Sequence, residues 1–222
     1  MPASLIRDYL QTQGLKLPQD DVRIAYAAAQ AVMDLGRASV DRSVLWYACD
    51  GVALADYLPQ TEENEALLKQ VFMALDSVYS RQAHIRSAVV YAHLPAEETG
   101  AQLVCLSRQG ELIEHCLSVD EAAGQSHLPC RTAQSGWLNI CNDSAHWLAI
   151  GELAGEHNLR SGAQFTAPVC TAGGAVLGVV HVEFDDKDRA DEAAQAEWTA
   201  LALALAAPLQ KLLRVEDIDG EE

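Results

Sequence analysis

Two short stretches place chemically capable side chains at every second position. They are Gln164 and Thr166 in AQFTAPVC (163–170), and His181 and Glu183 in AVLGVVHVEF (175–184). Residues two apart on a strand share a face. An imidazole and a carboxylate on one strand, beside an amide and a hydroxyl on the next, would therefore make a polar surface suited to a small ligand. The same alternation also fits the wet face of an open antiparallel sheet, and both readings stand. Arg160 lies in an otherwise uncharged link just before the first of these strands. A guanidinium there would grip a carboxylate or phosphate, or stand exposed on a loop. Trp137 and Trp147 complete the candidate ligand-binding set, although Trp147 also reads as a packing residue of its own helix.

Other chemistry has little support. Six cysteines stand at 49, 105, 116, 130, 141 and 170, with no C-x-x-C pair and no zinc-finger Cys/His spacing. Several fall in apolar stretches and read as small core residues, reduced rather than paired. There is no H-E-x-x-H, no G-x-S-x-G and no phosphate loop. No catalytic residue, metal ligand or cofactor is assigned.

The 222 residues carry a net charge of −17 and are 50% hydrophobic. That composition suits a packed globule, and so acidic a chain repels nucleic acid and anionic membranes. No apolar run reaches the ~18 residues of a membrane span. The start, MPASLIRDYLQ, lacks the basic and apolar regions of a secretory signal. The expectation is a cytoplasmic protein.

The elements that position these residues follow from periodicity. Val22, Tyr26, Ala29 and Met33 predict a helix over 20–35, entered at Pro18 and Asp20 and stopped at Gly36. An apolar segment, 44–49, is bent by Gly51, with a further helical turn in VALADYL. Leu67, Val71, Ala74 and Val78 predict a helix over 62–80 with Thr61 at its start. Strands are expected at 87–94, 101–107, 111–117, 137–141, 163–170 and 175–184. Gln109-Gly110 reads as a tight hairpin link, and 171–174 as a hairpin loop. Residues 144–155 read as a short helix capped by Ser144. Trp198, Leu201, Leu205, Leu209 and Leu212 share one face of a closing helix over 191–213, which Pro208 should kink or break. This order makes an α+β fold with a mostly antiparallel sheet.

From about Leu67 to Leu213 the chain resembles a GAF domain, the small-molecule sensing module related to the PAS fold. Ser161-Gly162, Thr166-Ala167-Pro168-Val169, Gly173-Gly174 and Val176-Leu177-Gly178-Val179-Val180 carry the likeness, and Arg131 to Gly136 resembles the family's segment leading into a strand. The resemblance implies a GAF-like, six-stranded sheet with flanking helices. It sets residues 1–60 apart as an N-terminal helical extension, 61–214 as the domain and 215–222 as an acidic tail. A pocket would lie beneath a cover around 128–162, which carries Trp137, Trp147, His146 and His157, with His127 just before it.

One enzyme branch of this family, the free methionine-R-sulfoxide reductases, resembles the chain at Cys130, just before the x-T-A segment. The chain departs from that branch elsewhere. Residues 156–160 hold no thiol, Gln164 replaces an acid, and His181-Val182-Glu183 replaces an Asp-x-Asp pair. The cyclic-nucleotide signature fails at Arg189, and His115-Cys116 reverses the bilin order. The resemblance therefore implies a stand-alone sensory module that binds an unidentified small molecule and signals through a protein partner. It would pair as a homodimer through its terminal helices unless their stripes face the core. The alternatives are a thiol reductase using Cys130 with Cys116 or Cys141, and a ligand-free interaction module.

Overall fold

The chain is described by a computed structural model over residues 3–35, 39–97 and 100–215. It begins with helices α1 (Ala3–Thr12), α2 (Gln19–Leu35) and α3 (Arg42–Leu45). A small hairpin of β1 (Ala48–Cys49) and β2 (Val52–Ala53) follows, then α4 (Glu62–Arg81). Next come β3 (Ile85–Ala96), β4 (Gly100–Gly110), β5 (Cys116–Ser118), α5 (Glu121–Ser126), α6 (Leu128–Ser135) and β6 (Asn139–Cys141). The chain continues through α7 (Ser144–Ala149), β7 (Ala163–Cys170), β8 (Val176–Phe184) and α8 (Glu192–Leu213). Six strands form one antiparallel sheet in the order β5-β4-β3-β8-β7-β6.

Helix α8 is apolar around most of its circumference, and a helix of that kind must be buried on several sides. Its expected stripe, Trp198, Leu201, Leu205, Leu209 and Leu212, packs with α4 onto Ala163, Phe165, Val180 and Val182 of the sheet. Its other side, Ala196, Ala200 and Leu203, is covered by Ile6, Leu10, Val22 and Ala25 of α1 and α2. Through Val22 and Ala25, helix α2 thus meets the small-residue side of α8, not its leucine stripe, and both contacts lie within one chain. Gln13, just after α1, clamps the sheet's β6 end. Its amide donates to the Gly136 carbonyl at 3.0 Å, and its Oε1 accepts from the Leu138 N–H at 2.6 Å.

Several expectations are corrected. Pro208 does not break α8, which runs through it. Proline leaves the carbonyl four residues back without its helical donor, and Gln30 of α2 supplies one, donating to the Ala204 carbonyl at 3.3 Å. Residues 111–117 are not a strand joined by a tight turn. Strand β4 runs on to Gly110, whose position leaves no room for a Cβ against the Arg86 carbonyl, and Glu111 N–H donates to that same carbonyl at 2.9 Å. Pairing resumes only at Cys116, so 111–115 form a loop. The cap of α7 is Asp143, which accepts from the His146 N–H at 2.9 Å, and the helix ends at Ala149. The segment after α3 is a hairpin because Asp50 and Gly51 both take positive φ, 52° and 77°, as a two-residue type I′ turn requires. Helices α1, α5 and α6 have no counterpart in the reading from periodicity. The expected stop at Gly36 and the stretch from residue 216 onward lie outside the described residues.

Gly178 is pressed between the neighbouring strand β3 and helix α8. A Cβ there would lie 2.2 Å from the Tyr91 carbonyl oxygen and 2.8 Å from Leu209 Cδ2. Gly178→Ala is expected to cost about 1–3 kcal/mol by overpacking. Gly173→Ala, in open space with only Thr171 Oγ1 at 3.7 Å, should stay within about 0.5 kcal/mol of the parent. Equilibrium urea denaturation of both variants measures the difference.

Candidate functional site

Strict alternation sorts the central strands. Ala88, Val90, Phe165, Ala167, Val180 and Val182 point into the helical core. Their neighbours Ser87, Tyr91, Gln164, Thr166, His181 and Glu183 point to the opposite face. Register aligns them in rows, with Ser87 and Gln164 both opposite Glu183, and Val89 and Thr166 both opposite His181. The face is not wet. Gln164, Thr166, His181 and Glu183 are all buried, covered by α5, α6 and a 3-10 turn over Glu156–Arg160.

That turn delivers Arg160 into the middle of the polar row. Its Nη1 and Nη2 donate to Glu114 Oε1 and Oε2, both at 2.8 Å, in a fork-to-fork pair. Its Nε donates to both Glu183 oxygens at 2.9 and 3.0 Å, and Nη2 adds a 2.7 Å bond to Glu183 Oε1. The two carboxylates differ in exposure. The Glu183 side chain is 2% exposed, while that of Glu114, on the 111–115 loop, is 31% exposed. Ser87 Oγ donates to Glu183 at 3.0 Å. His181 Nε2 lies 3.6 Å from Glu183, and its Nδ1 meets Thr166 Oγ1 at 2.9 Å, which orients the ring.

The cover is pinned as firmly. Buried Asn158 donates to the carbonyls of Ser126 and Ala154 at 2.8 and 2.7 Å, and its Oδ1 accepts from Gln164 at 2.9 Å. His157 stacks on His127 with ring centroids 4.3 Å apart. Tyr91 donates its hydroxyl to the Glu114 carbonyl at 2.7 Å, fixing the loop. The space enclosed among these groups is only about 10 Å³, roughly what one water needs.

Electrostatics follow from this enclosure. Burial alone pushes the Glu183 carboxyl up, but hydrogen bonding and charge from His181 and then Arg160 outweigh it and hold it at about 2. Glu114 shows the same contest, with the Arg160 guanidinium prevailing over burial, again at about 2. Burial foremost, then the stacked His157, lowers His127 to about 4.

Among the sequence-derived candidates, the structure brings Arg160, Gln164, His181 and Glu183 around one enclosed point, with Thr166 behind His181. Trp137 and Trp147 are not there. Trp137 is exposed on the surface after α6, and Trp147 packs against Leu128, Cys141 and Leu153. Arg160 is neither an exposed loop residue nor an open anion seat, because two carboxylates already occupy it. Glu114, Asn158 and Tyr91 complete the cluster without having been anticipated. Glu114 was hidden in a segment read as strand, and nothing local links it to an arginine 46 residues away.

No protein-family model matches the sequence, and no curated protein matches it. Solved structures do match the fold. A protein described as a GAF sensor from Burkholderia vietnamiensis superposes with a TM-score of 0.56 at 17% identity, covering 87% of this chain and 98% of its own. The GAF domain of the Acinetobacter phosphoenolpyruvate-protein phosphotransferase gives 0.55 at 14% identity, covering 88% and 98%. The type II free methionine-R-sulfoxide reductase of Thermoplasma acidophilum gives 0.55 at 14% identity, covering 68% and 97%. The chain has a GAF-like fold.

Removing Arg160 would strand two carboxylates in a largely buried cluster. Arg160→Met is expected to cost about 3–5 kcal/mol, with much of the loss recovered in Arg160→Met/Glu183→Gln. The Glu183 carboxyl titrates lower when folded than its ordinary value of 4.5. It therefore contributes stability above about pH 4.5 that is lost as pH falls toward 2. In Arg160→Met burial is left less opposed and raises the Glu183 carboxyl, so this acid loss should shrink. Denaturation midpoints measured between pH 3 and 7 test both statements.

Proposed function

We propose that this chain is a GAF-type regulatory module that senses a small carboxylate-bearing molecule at Arg160 and acts through protein contacts. One observation carries the reading: Arg160 is locked on one edge by fully buried Glu183, while its outer fork is filled by Glu114 from a partly exposed loop. A ligand carboxylate entering in place of Glu114 exchanges like for like on the guanidinium. The swap loses little electrostatic energy and makes room as the Glu114 side chain leaves. The loop it displaces is the part of the site closest to the surface, so binding converts directly into a changed outer shape.

Two other observations bear on the choice. The reductase reading needs a thiolate, and Cys130 is fully buried. Burial foremost, with Asp120 and Glu114 adding, pushes its thiol up to about 12, and its Sγ donates to the Ser118 carbonyl at 3.4 Å. The ligand-free interaction module draws on the near absence of enclosed space, and is the reading that stands if no ligand enters.

Homodimerisation belongs to the same proposal, but through the outer face of α2, where Ile24 and Leu35 are exposed. The apolar stripes of α2 and α8 are used within the chain. The six cysteines are free thiols, as suits the cytoplasm, and among the described residues no helix is long and apolar enough to cross a membrane.

Glu114→Gln removes the charge of the internal competitor while keeping its size. Calorimetric titration with amino acids, hydroxy acids and dicarboxylates should show at least tenfold tighter binding of one class to this variant than to the parent. Arg160→Lys, which keeps a charge but loses the fork, should lose it. If no carboxylate binds either the parent or Glu114→Gln, the sensing proposal fails.

A further inference from the structure

His115, next in sequence to Glu114, points away from the polar cluster and into a second group of chemically capable side chains. The β1–β2 hairpin presents Cys49 on its first strand and Asp50 at its turn, both against the buried His115 ring. Asp50 Oδ2 lies 3.4 Å from His115 Nδ1. Cys49 Sγ lies 3.8 Å from Nδ1 and 3.2 Å from Nε2. The three donor atoms fall within 4.8 Å of one another. They come from two segments 66 residues apart, so no spacing rule would have found them.

From these distances we propose that Cys49, Asp50 and His115 form a binding site for a zinc-class divalent cation. A thiolate, an imidazole and a carboxylate are the three donor types that zinc accepts together. Zinc–ligand distances of about 2.0–2.3 Å in tetrahedral geometry set neighbouring donors roughly 3.2–3.6 Å apart. The separations at Nδ1, 3.4 and 3.8 Å, are close to this, and the exposed Asp50 carboxylate can swing inward to bring the third pair, within 4.8 Å, to the same range. Thiolate and carboxylate together supply two negative charges against the ion's two positive ones.

The frame that holds the donors is already set. Cys49 pairs with Val52 across the hairpin, and the positive φ of Asp50 and Gly51 fixes the tight turn. A two-residue ribbon has little stability of its own, so outside contacts must hold it. Just before the hairpin, Tyr47 donates its hydroxyl to the Cys105 carbonyl at 2.8 Å, and its ring lies tilted against His115, with centroids 5.0 Å apart. Cys105 N–H in turn takes the His115 carbonyl at 2.9 Å.

Three protein donors leave a fourth coordination position, as in zinc sites that exchange ligands. A groove of about 370 Å³ opens beside the donors, with Cys49 and His115 in its wall next to Phe72 and Arg108. A water or a small anion reaches the ion from that side, and the Arg108 cation favours the anion.

Cobalt(II) tests the site because a thiolate bound to it gives a near-ultraviolet charge-transfer band, which carboxylates alone do not. That distinction matters in a chain of charge −17, whose acidic surface collects cations loosely. The metal-free full-length protein, kept reduced, should bind one equivalent of cobalt(II) with this band and with the visible bands of a tetrahedral ion. Zinc should displace the cobalt. Cys49→Ser should abolish the charge-transfer band, and His115→Gln should weaken binding at least tenfold. Asp50→Asn alters an exposed side chain and so leaves the fold intact; it should also weaken binding at least tenfold. Cys116→Ser should keep the band. No thiolate band in the parent protein overturns the site, and so does a band that survives Cys49→Ser or binding that is unchanged in Asp50→Asn.

Discussion

The Arg160 guanidinium lies between two carboxylates beneath the cover, and the architecture of that face depends on it. A carboxylate as buried as Glu183 loses several kcal/mol of hydration. It stays ionised because Arg160 compensates it at hydrogen-bond range, with the His181 ring close behind at 3.6 Å. Gln164 holds Asn158, and Asn158 holds the turn that carries Arg160. Tyr91 holds the loop that carries Glu114. Each neutral hydrogen bond here has a task beyond its own modest energy, namely to keep the charged groups at the separation where attraction exceeds desolvation. An ionic cluster is a poor way to gain stability where an apolar core would serve. Here it occupies one face of a sheet whose other face packs the main apolar core.

The loop over residues 111–115 has a second importance. It sends Glu114 into the ionic cluster and His115 toward the hairpin carrying Cys49 and Asp50. Adjacent residues on an extended backbone project to opposite sides, so one short segment serves two chemically distinct groups. Gly110 makes this possible by pressing against the Arg86 carbonyl where no other residue fits. A movement of the loop that released Glu114 would also shift His115.

The helical side shows how the sequence resolves conflicts of its own making. Pro208 sits where a helix should fail, yet α8 continues because Gln30 donates to the orphaned Ala204 carbonyl. Local propensity and tertiary compensation disagree, and the tertiary bond wins. The alanine-rich side of α8, read alone, is as compatible with an intermolecular contact as with a core. Here Ile6, Leu10, Val22 and Ala25 cover it from the same chain.

What the sequence determined by itself was periodic. Alternation along 163–170 and 175–184 put Gln164, Thr166, His181 and Glu183 on shared faces, and the 3.6-residue repeats located α2, α4 and α8. These patterns are legible because each depends on neighbours within a few positions along the chain. Tertiary structure decided whether that polar face was wet or buried, since burial depends on what the cover at 121–160 does. It also decided that Arg160 meets Glu114 and that His115 meets Cys49 and Asp50, because contacts across 46 and 66 residues leave no local trace. Trp137 and Trp147 show the converse limit of a sequence reading. Large aromatic residues in the right segment were natural candidates, but side-chain direction in an irregular cover follows from packing, and packing placed one in solvent and the other against Leu128, Cys141 and Leu153.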